Sequence, residues 1–274
     1  NISTSDEGTY TAEVTGKCAG AASTGAVLVV DDKVVINTQP SDVTQCEGTT
    51  ATFSVSATGT NLLYQWRKGA VNLVDGGDIS GSATPALTIK NIETADEGMY
   101  YVVITGKCSS EISTSVQLSV EDNAVIVVQP VNVTQCEGET ATFSVTATGT
   151  DLSYQWRRGG VALIDGGDIS GVTTSVLTIA NTEPGDEGSY DVVITGKCSD
   201  VTSSAVLLAV DDNAVITLQP LAVTDCEGET AVFSVTATGT DLTYRWRRNG
   251  IQLSDGGDVS GATTQVLTIV NIES

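Results

Sequence analysis

Apolar and polar residues alternate singly along most of this chain. In Ala141-Thr142-Phe143-Ser144-Val145-Thr146-Ala147, Phe143, Val145 and Ala147 fall on one face and the threonines and serine on the other. A period of two marks a half-buried strand, and no long stretch carries the 3.6-residue apolar spacing of a helix. The pattern therefore predicts β structure throughout and negligible helix. With residues 124–210 as the model, strands are predicted over 131–135, 141–147, 152–157, 176–179, 190–194 and 205–210. Turns are predicted at Cys136-Glu137-Gly138, Arg158-Gly159-Gly160 and Asp165-Gly166-Gly167-Asp168. The inward set is Phe143, Val145, Trp156, Leu177, Ile179, Tyr190, Val192 and Ile194.

This pattern recurs with a fixed period. Asp186-Glu187-Gly188-Ser189-Tyr190, running on to Cys198, is matched by Asp96-Glu97-Gly98-Met99-Tyr100 running to Cys108 and by Asp6-Glu7-Gly8-Thr9-Tyr10 running to Cys18. Successive copies are 90 residues apart, and Cys46, Cys136 and Cys226 keep the same spacing, as do Trp66, Trp156 and Trp246. No loop between copies has gained or lost a residue, so the chain is a tandem array and is read repeat by repeat. Residues 34–120 and 124–210 are whole units. Residues 1–30 correspond to the last two strands of a unit, and 214–274 to a unit without them. Asn271-Ile272-Glu273-Ser274 restarts the pattern of Asn1-Ile2-Ser3-Thr4. Links such as Asp31-Asp32-Lys33 and Asp211-Asp212-Asn213 are only three residues long.

Composition narrows the function classes. A period of 90 implies small cores, each burying a modest interior, strung as a rod of beads. The net charge of −22, from 34 acidic and 12 basic residues, repels phosphate backbones and anionic lipid, so no nucleic-acid partner is expected. No run approaches the ~18 apolar residues that cross a bilayer, so no membrane insertion is expected. The chain opens on Asn1 without a signal-peptide pattern or initiator methionine and reads as a window on a longer or processed protein. Histidine is absent, which removes the usual general base and the commonest metal ligand, and no enzyme activity is expected. Two cysteines per period beside turn residues, with no Cys-x-x-Cys pair, suit an oxidising, extracellular compartment.

Seven or so short strands, with Trp156 in the third and Tyr190 opening the sixth, resemble an immunoglobulin-like β-sandwich of the intermediate type. The most specific elements are Cys136-Glu137-Gly138-Glu139, Tyr154-Gln155-Trp156-Arg157-Arg158-Gly159-Gly160, Leu177-Thr178-Ile179 and Asp186-Glu187-Gly188-Ser189-Tyr190. The resemblance covers the whole period and leans towards the Bacteroidetes-style repeats of secreted bacterial surface, adhesin or fibre proteins, which carry a similar Cys-Glu-Gly and Gly-x-Cys pair. It implies an all-β fold of tandem sandwiches with Trp66, Trp156, Trp246, Tyr100 and Tyr190 in the cores. One departure matters. The family usually bridges its two sheets by cysteines at the positions of Val145 and Val192. Burying two valines stabilises by about 1.5 to 3 kcal/mol each, comparable with the roughly 2 to 4 kcal/mol of a disulfide.

In such a sandwich the turn bearing Cys136 lies where the chain leaves the unit, and the hairpin tip bearing Cys198 lies where it enters. The two sulfurs of one unit are then far beyond the ~7 Å limit between bridged α-carbons. Head-to-tail succession brings the exit of one unit to the entry of the next, which predicts a junction pair of Cys46 with Cys198. Cys18, Cys108, Cys136 and Cys226 then find partners in neighbouring units or chains, with Cys136 falling to the next copy's Cys18 and Cys226 to its Cys108. A bridge within each repeat, a lateral bridge between neighbouring rods, and free thiols are the alternatives.

Other motifs have a bland reading beside the sharp one. Asp75-Gly76-Gly77-Asp78, with its copies at Asp165 and Asp168 and at Asp255 and Asp258, offers paired carboxylates to Ca2+, as do the acidic links such as Asp211-Asp212. Asp-Gly and Gly-Gly are equally the chemistry of hairpin turns, and no cofactor is expected, with Ca2+ as the alternative. Arg157-Arg158 beside Trp156 reads as a cap on an acidic surface rather than a stacking site. Asn132-Val133-Thr134 fits a glycosylation sequon in one copy only. Loops of constant length and nearly constant sequence repeat a geometry rather than diversify a surface. The expected function is the repeat unit of an extracellular fibre or long cell-surface stalk, its partner being itself, as a head-to-tail polymer or the continuation of a longer chain. Strand complementation of 214–274 by residues 10–30 of another copy is one route. A ligand-binding adhesin or receptor repeat region is the alternative, and an enzyme accessory module has no convergent titratable groups to support it.

Overall fold

The computed structural model describes residues 2–273. The structure is all-β: among the described residues, helix is limited to three 3-10 turns, Thr4–Asp6, Thr94–Asp96 and Pro184–Asp186. Two compact units divide the chain. The first runs up to Ala124 and takes in Thr148–Asp151 and Gly196–Ser199; the second holds Val125–Ala147, Leu152–Thr195 and the residues from Asp200 on.

The repeat within the first unit shows the strand order. Val43–Cys46 runs parallel to Val116–Glu121, which is followed by Gly98–Thr105, Leu63–Lys68 and Val71–Asn72, all antiparallel, while Ser110–Ile112 folds back on Gly98–Thr105. The opposing sheet is Ile79–Ser80, Ala86–Ile89 and Ala51–Ser54, with Val35–Thr38 paired to Ser56–Thr58. The 141–147 strand and its counterpart at 51–57 are expected to be continuous, but each is divided. Val55 turns its N–H to Pro85 O at 3.0 Å, and Val145 turns its N–H to Ser175 O at the same distance. The break steers one half of the strand towards each of two partners while keeping the alternation of inward residues.

The inward residues make the core. Phe53, Trp66, Leu87, Ile89, Tyr100, Val102 and Ile104 are buried in the first unit, and Phe143, Trp156, Leu177, Ile179, Tyr190, Val192 and Ile194 in the second. Phe143 stacks on Tyr190 with centroids 5.1 Å apart, and Phe53 on Tyr100 at 5.0 Å. Each tryptophan also satisfies its polar atom: the indole N–H of Trp66 donates to Thr84 O and that of Trp156 to Thr174 O, both at 2.9 Å. Val145 and Val192 are buried where the fold commonly carries its sheet-to-sheet cysteines. Burial of apolar area is what joins the sheets there.

The core assignment of Trp246 needs correction. Its indole N–H keeps the equivalent bond to Thr264 O at 2.9 Å, but the side chain is half-buried. Trp156 is covered by Gly188–Thr195, to which its strand pairs from Ser153 to Arg158; the described residues around Trp246 include no counterpart of that strand. Residues 8–28 form two short pairs, Gly8–Tyr10 with Ala26–Leu28 and Glu13–Thr15 with Gly20–Ala22, with Tyr10 55% exposed where Tyr190 is 1%.

A disulfide-bonded junction as the candidate functional site

Cys46 and Cys198 are bonded, with their α-carbons 5.6 Å apart and 152 residues between them in sequence. The turn presents Cys46 at the last residue of Val43–Cys46, level with Glu121 at the end of the parallel neighbour. Glu47 N donates to Glu121 O and Gly48 N to Ile92 O, both at 2.9 Å. Gly48 stands at φ +79°, a left-handed conformation that glycine adopts without steric cost and that closes the Cys-Glu-Gly turn.

Cys198 is carried on the tip Gly196–Ser199, closed by Gly196 N to Ser199 O at 3.0 Å. The tip is fixed by the chain that precedes the second repeat. Lys197 N donates to Thr150 O at 2.9 Å, and Ala124 N to Ser199 Oγ at 2.9 Å. Thr150 and Asp122 bond reciprocally: Asp122 N donates to Thr150 Oγ1 at 2.9 Å and Thr150 N to Asp122 O at 3.2 Å. Asn123 Nδ2 reaches Glu47 O at 3.4 Å. The Lys197 ammonium sits 2.5 Å from Glu121 Oε1. That contact holds the Glu121 carboxyl below the usual carboxylate range and raises the lysine above its own.

Within the first unit the two cysteines of one repeat lie at opposite ends. Cys46 is beside Glu121 at the exit, whereas Cys108 is at the entry, its Sγ 3.4 Å from Asp31 O and its neighbour Ser109 accepting from Val34 N at 2.9 Å. A bridge inside the repeat is excluded by that placement. The entry carries the same set of contacts as the bonded junction: Lys107 pairs with Asp31 at 2.5 Å, Lys107 N donates to Thr60 O at 3.0 Å, and Asp32 N donates to Thr60 Oγ1 at 2.9 Å. Cys18, Cys108, Cys136 and Cys226 are unbonded and exposed.

Sequence reasoning missed the polar half of this site. Lys107 and Lys197, Thr60 and Thr150, and Asp32 and Asp122 each recur 90 residues apart, and that recurrence was the available signal. The paired turn acids are engaged by the turns themselves. Asp75 Oδ1 accepts from Ser82 N at 2.7 Å and Asp165 Oδ1 from Val172 N at 3.0 Å, while Asp255 Oδ1 accepts from Ala262 N at 2.7 Å. Asp78, Asp168 and Asp258 each accept from an asparagine, Asn91, Asn181 and Asn271, at 3.0 to 3.1 Å. Among the described residues, no three acidic or cysteine side chains gather into a metal-binding group. Arg157 is spent on Asp191, its Nε and Nη2 donating to the two carboxylate oxygens at 2.7 and 2.8 Å.

Named proteins similar to this chain are animal ones. The muscle M-line assembly protein unc-89 of Caenorhabditis elegans is 28% identical over 78% of this chain, which spans 3% of that protein. Human Roundabout homolog 1 is 27% identical over 91% of this chain, which spans 16% of its length. Neither supports a kinship to bacterial surface repeats. Among solved structures, three consecutive immunoglobulin domains of titin align with a TM-score of 0.68 at 19% identity, covering 89% of this chain and 90% of the titin segment; at that identity the likeness shows the fold alone. The model of the immunoglobulin I-set domain matches residues 34–120 and again 124–209, and the chain belongs to the immunoglobulin I-set family.

Proposed function

We propose that the chain is a run of structural repeats from an extracellular fibre or long cell-surface stalk. The observation that carries the reading is the Cys46–Cys198 bond, which joins one repeat to the next instead of bracing a single core. Recurrence of the surrounding polar contacts at the entry of the preceding repeat supports it, since the same joint is built more than once. A stable disulfide suits an oxidising exterior, and no described helix is long and apolar enough to cross a membrane. In this reading the partner is the chain itself or its continuation, without nucleic acid, membrane insertion, catalysis or a required cofactor. The finer link to bacterial surface fibres rests on the Cys-Glu-Gly turn and Gly-Lys-Cys tip alone.

Electron microscopy of the native material tests the proposal: a filament or stalk of regularly spaced beads is expected, and isolated flexible monomers overturn it. Adding Ca2+ should leave the melting temperature unchanged; a rise would give the acidic turns or links a cation. The second reading, a repeat region of an adhesin or receptor, is favoured by the 91% of this chain that aligns with Roundabout homolog 1. Saturable binding of the chain to an unrelated cell-surface protein would favour it over the fibre.

A further inference from the structure

The free cysteines are not placed at random. Cys136 stands opposite Asp211 on a parallel strand pair, as Cys46 stands opposite Glu121. Glu137 N donates to Asp211 O at 2.9 Å, as Glu47 N does to Glu121 O. Asn213 Nδ2 reaches Glu137 O at 3.1 Å, as Asn123 reaches Glu47 O. The receiving loop is present too: Asp212 N donates to Thr240 Oγ1 at 2.9 Å, the counterpart of Asp122 and Thr150. Cys136 is thus a complete turn half of the joint. Cys108 is a complete tip half, held by Thr60, Asp31 and Val34 as Cys198 is held by Thr150, Glu121 and Ala124.

A second observation points to what fills these half-joints. A groove of about 430 Å3 opens beside Trp246, lined by Ile216, Val235, Leu242 and Tyr244 among others. In the preceding repeat the corner strand Gly188–Thr195 covers the equivalent tryptophan, burying Tyr190, Val192 and Ile194. Residues 6–30 carry the same corner, the same Gly16-Lys17-Cys18 tip and the same spacing to the closing strand. Their apolar residues are outward, with Val14 67%, Val27 72% and Val29 68% exposed.

We infer that residues 6–30 of a second copy seat in the groove of 214–273, and that this docking closes Cys136 on the second copy's Cys18 and Cys226 on its Cys108, always turn to tip. The inference rests on the structural-repeat reading and names its partner. The oxidant is a small-molecule disulfide such as oxidised glutathione. A turn thiolate attacks it and releases one glutathione thiolate; the tip thiolate then attacks the protein sulfur of the mixed disulfide and expels the second. Two protein thiols lose two protons and two electrons, and one glutathione disulfide becomes two glutathiones.

The test is to incubate the full chain, its Cys46–Cys198 bond intact, with oxidised and reduced glutathione at rising protein concentration, and to map cross-linked peptides without reduction. Head-to-tail oligomers linked Cys136–Cys18 and Cys226–Cys108 are expected. Cys108→Ser should abolish the second link and spare the first, and Cys136→Ser the reverse. Like-with-like links such as Cys108–Cys108, a Cys108–Cys136 bond within one chain, or glutathione adducts alone each overturn the inference. Native material that images as isolated monomers while the turn-to-tip links still form would sink the fibre reading and leave this pairing standing.

Discussion

Cys46 and Cys198 each make one bond, so their individual removal has a common consequence. Replacing either by serine opens the same 152-residue loop, which in the chain-entropy picture is worth about 2 to 5 kcal/mol. Cys46→Ser and Cys198→Ser should lower the denaturant midpoint by equal amounts, and the double variant should fall no further than either single one. Additive losses would mean that the two residues stabilise the fold separately. The ion pair beside them gives a pH dependence with a definite sign. Lys197 holds Glu121 below its ordinary value of 4.5, and hydrogen bonds from Ser82, hydroxyl first and amide second, hold Asp75 below 3.8. The folded chain therefore binds these protons less readily than the unfolded one, and their contribution is present above the ordinary carboxylate values and lost as pH falls through the folded ones. Lys197 is raised above 10.5 by Glu121, so its share is complete below that value and lost as pH rises through the folded one. Melting curves across the acid range should show a shallower fall for Glu121→Gln than for the parent chain; identical slopes would deny the pair any part in stability.

The corner at the head of Gly188–Thr195 shows how one element positions the tip that reaches the joint. Tyr190 OH donates to Asp186 O at 2.7 Å across the 3-10 turn Pro184–Asp186, and Tyr100 repeats the bond to Asp96 O at the same distance. Burial raises the Tyr190 hydroxyl above its ordinary value, keeping it a neutral donor. Tyr190→Phe keeps the ring on Phe143 and removes only that donor, so chemical denaturation should show a loss of about 1 to 2 kcal/mol; no loss would make the corner dispensable. This element was legible in advance, because Asp186-Glu187-Gly188-Ser189-Tyr190 recurs at a fixed spacing and its strand alternates in and out. The Cys46–Cys198 pairing was also legible, since strand length and the order of turn and tip place the sulfurs. The break at Val145 was not. Its amide faces Ser175 across the sheet, and a partner chosen by tertiary neighbours leaves no mark on an alternation that continues through it. Trp246 misled for a related reason: a residue's type announces a core position, but the covering strand comes from elsewhere in the chain.

At the scale of the whole chain the bond changes which residues bear tension. A pull applied at the two ends travels along the backbone to Cys46, crosses the disulfide, and resumes at Cys198, so the 152-residue stretch between them carries none of the load. Both whole repeats contribute most of their cores to that stretch, Phe53 through Ile194 among them. They gain no mechanical freedom from unfolding while the bond stands. The prediction is quantitative. Pulled in an oxidising buffer, the chain should extend only by what lies outside the loop, whereas the same pull in a thiol reductant should add roughly 500 Å of contour at ~3.3–3.6 Å per residue. Cys46→Ser should show that added length without reductant. An extension of this size from the unreduced parent chain would mean that force enters the loop, and the joint would then be a spacer's clasp with no bearing on load. If the added length appears only on reduction, the redox state of the surroundings sets how far such a chain can stretch before it breaks.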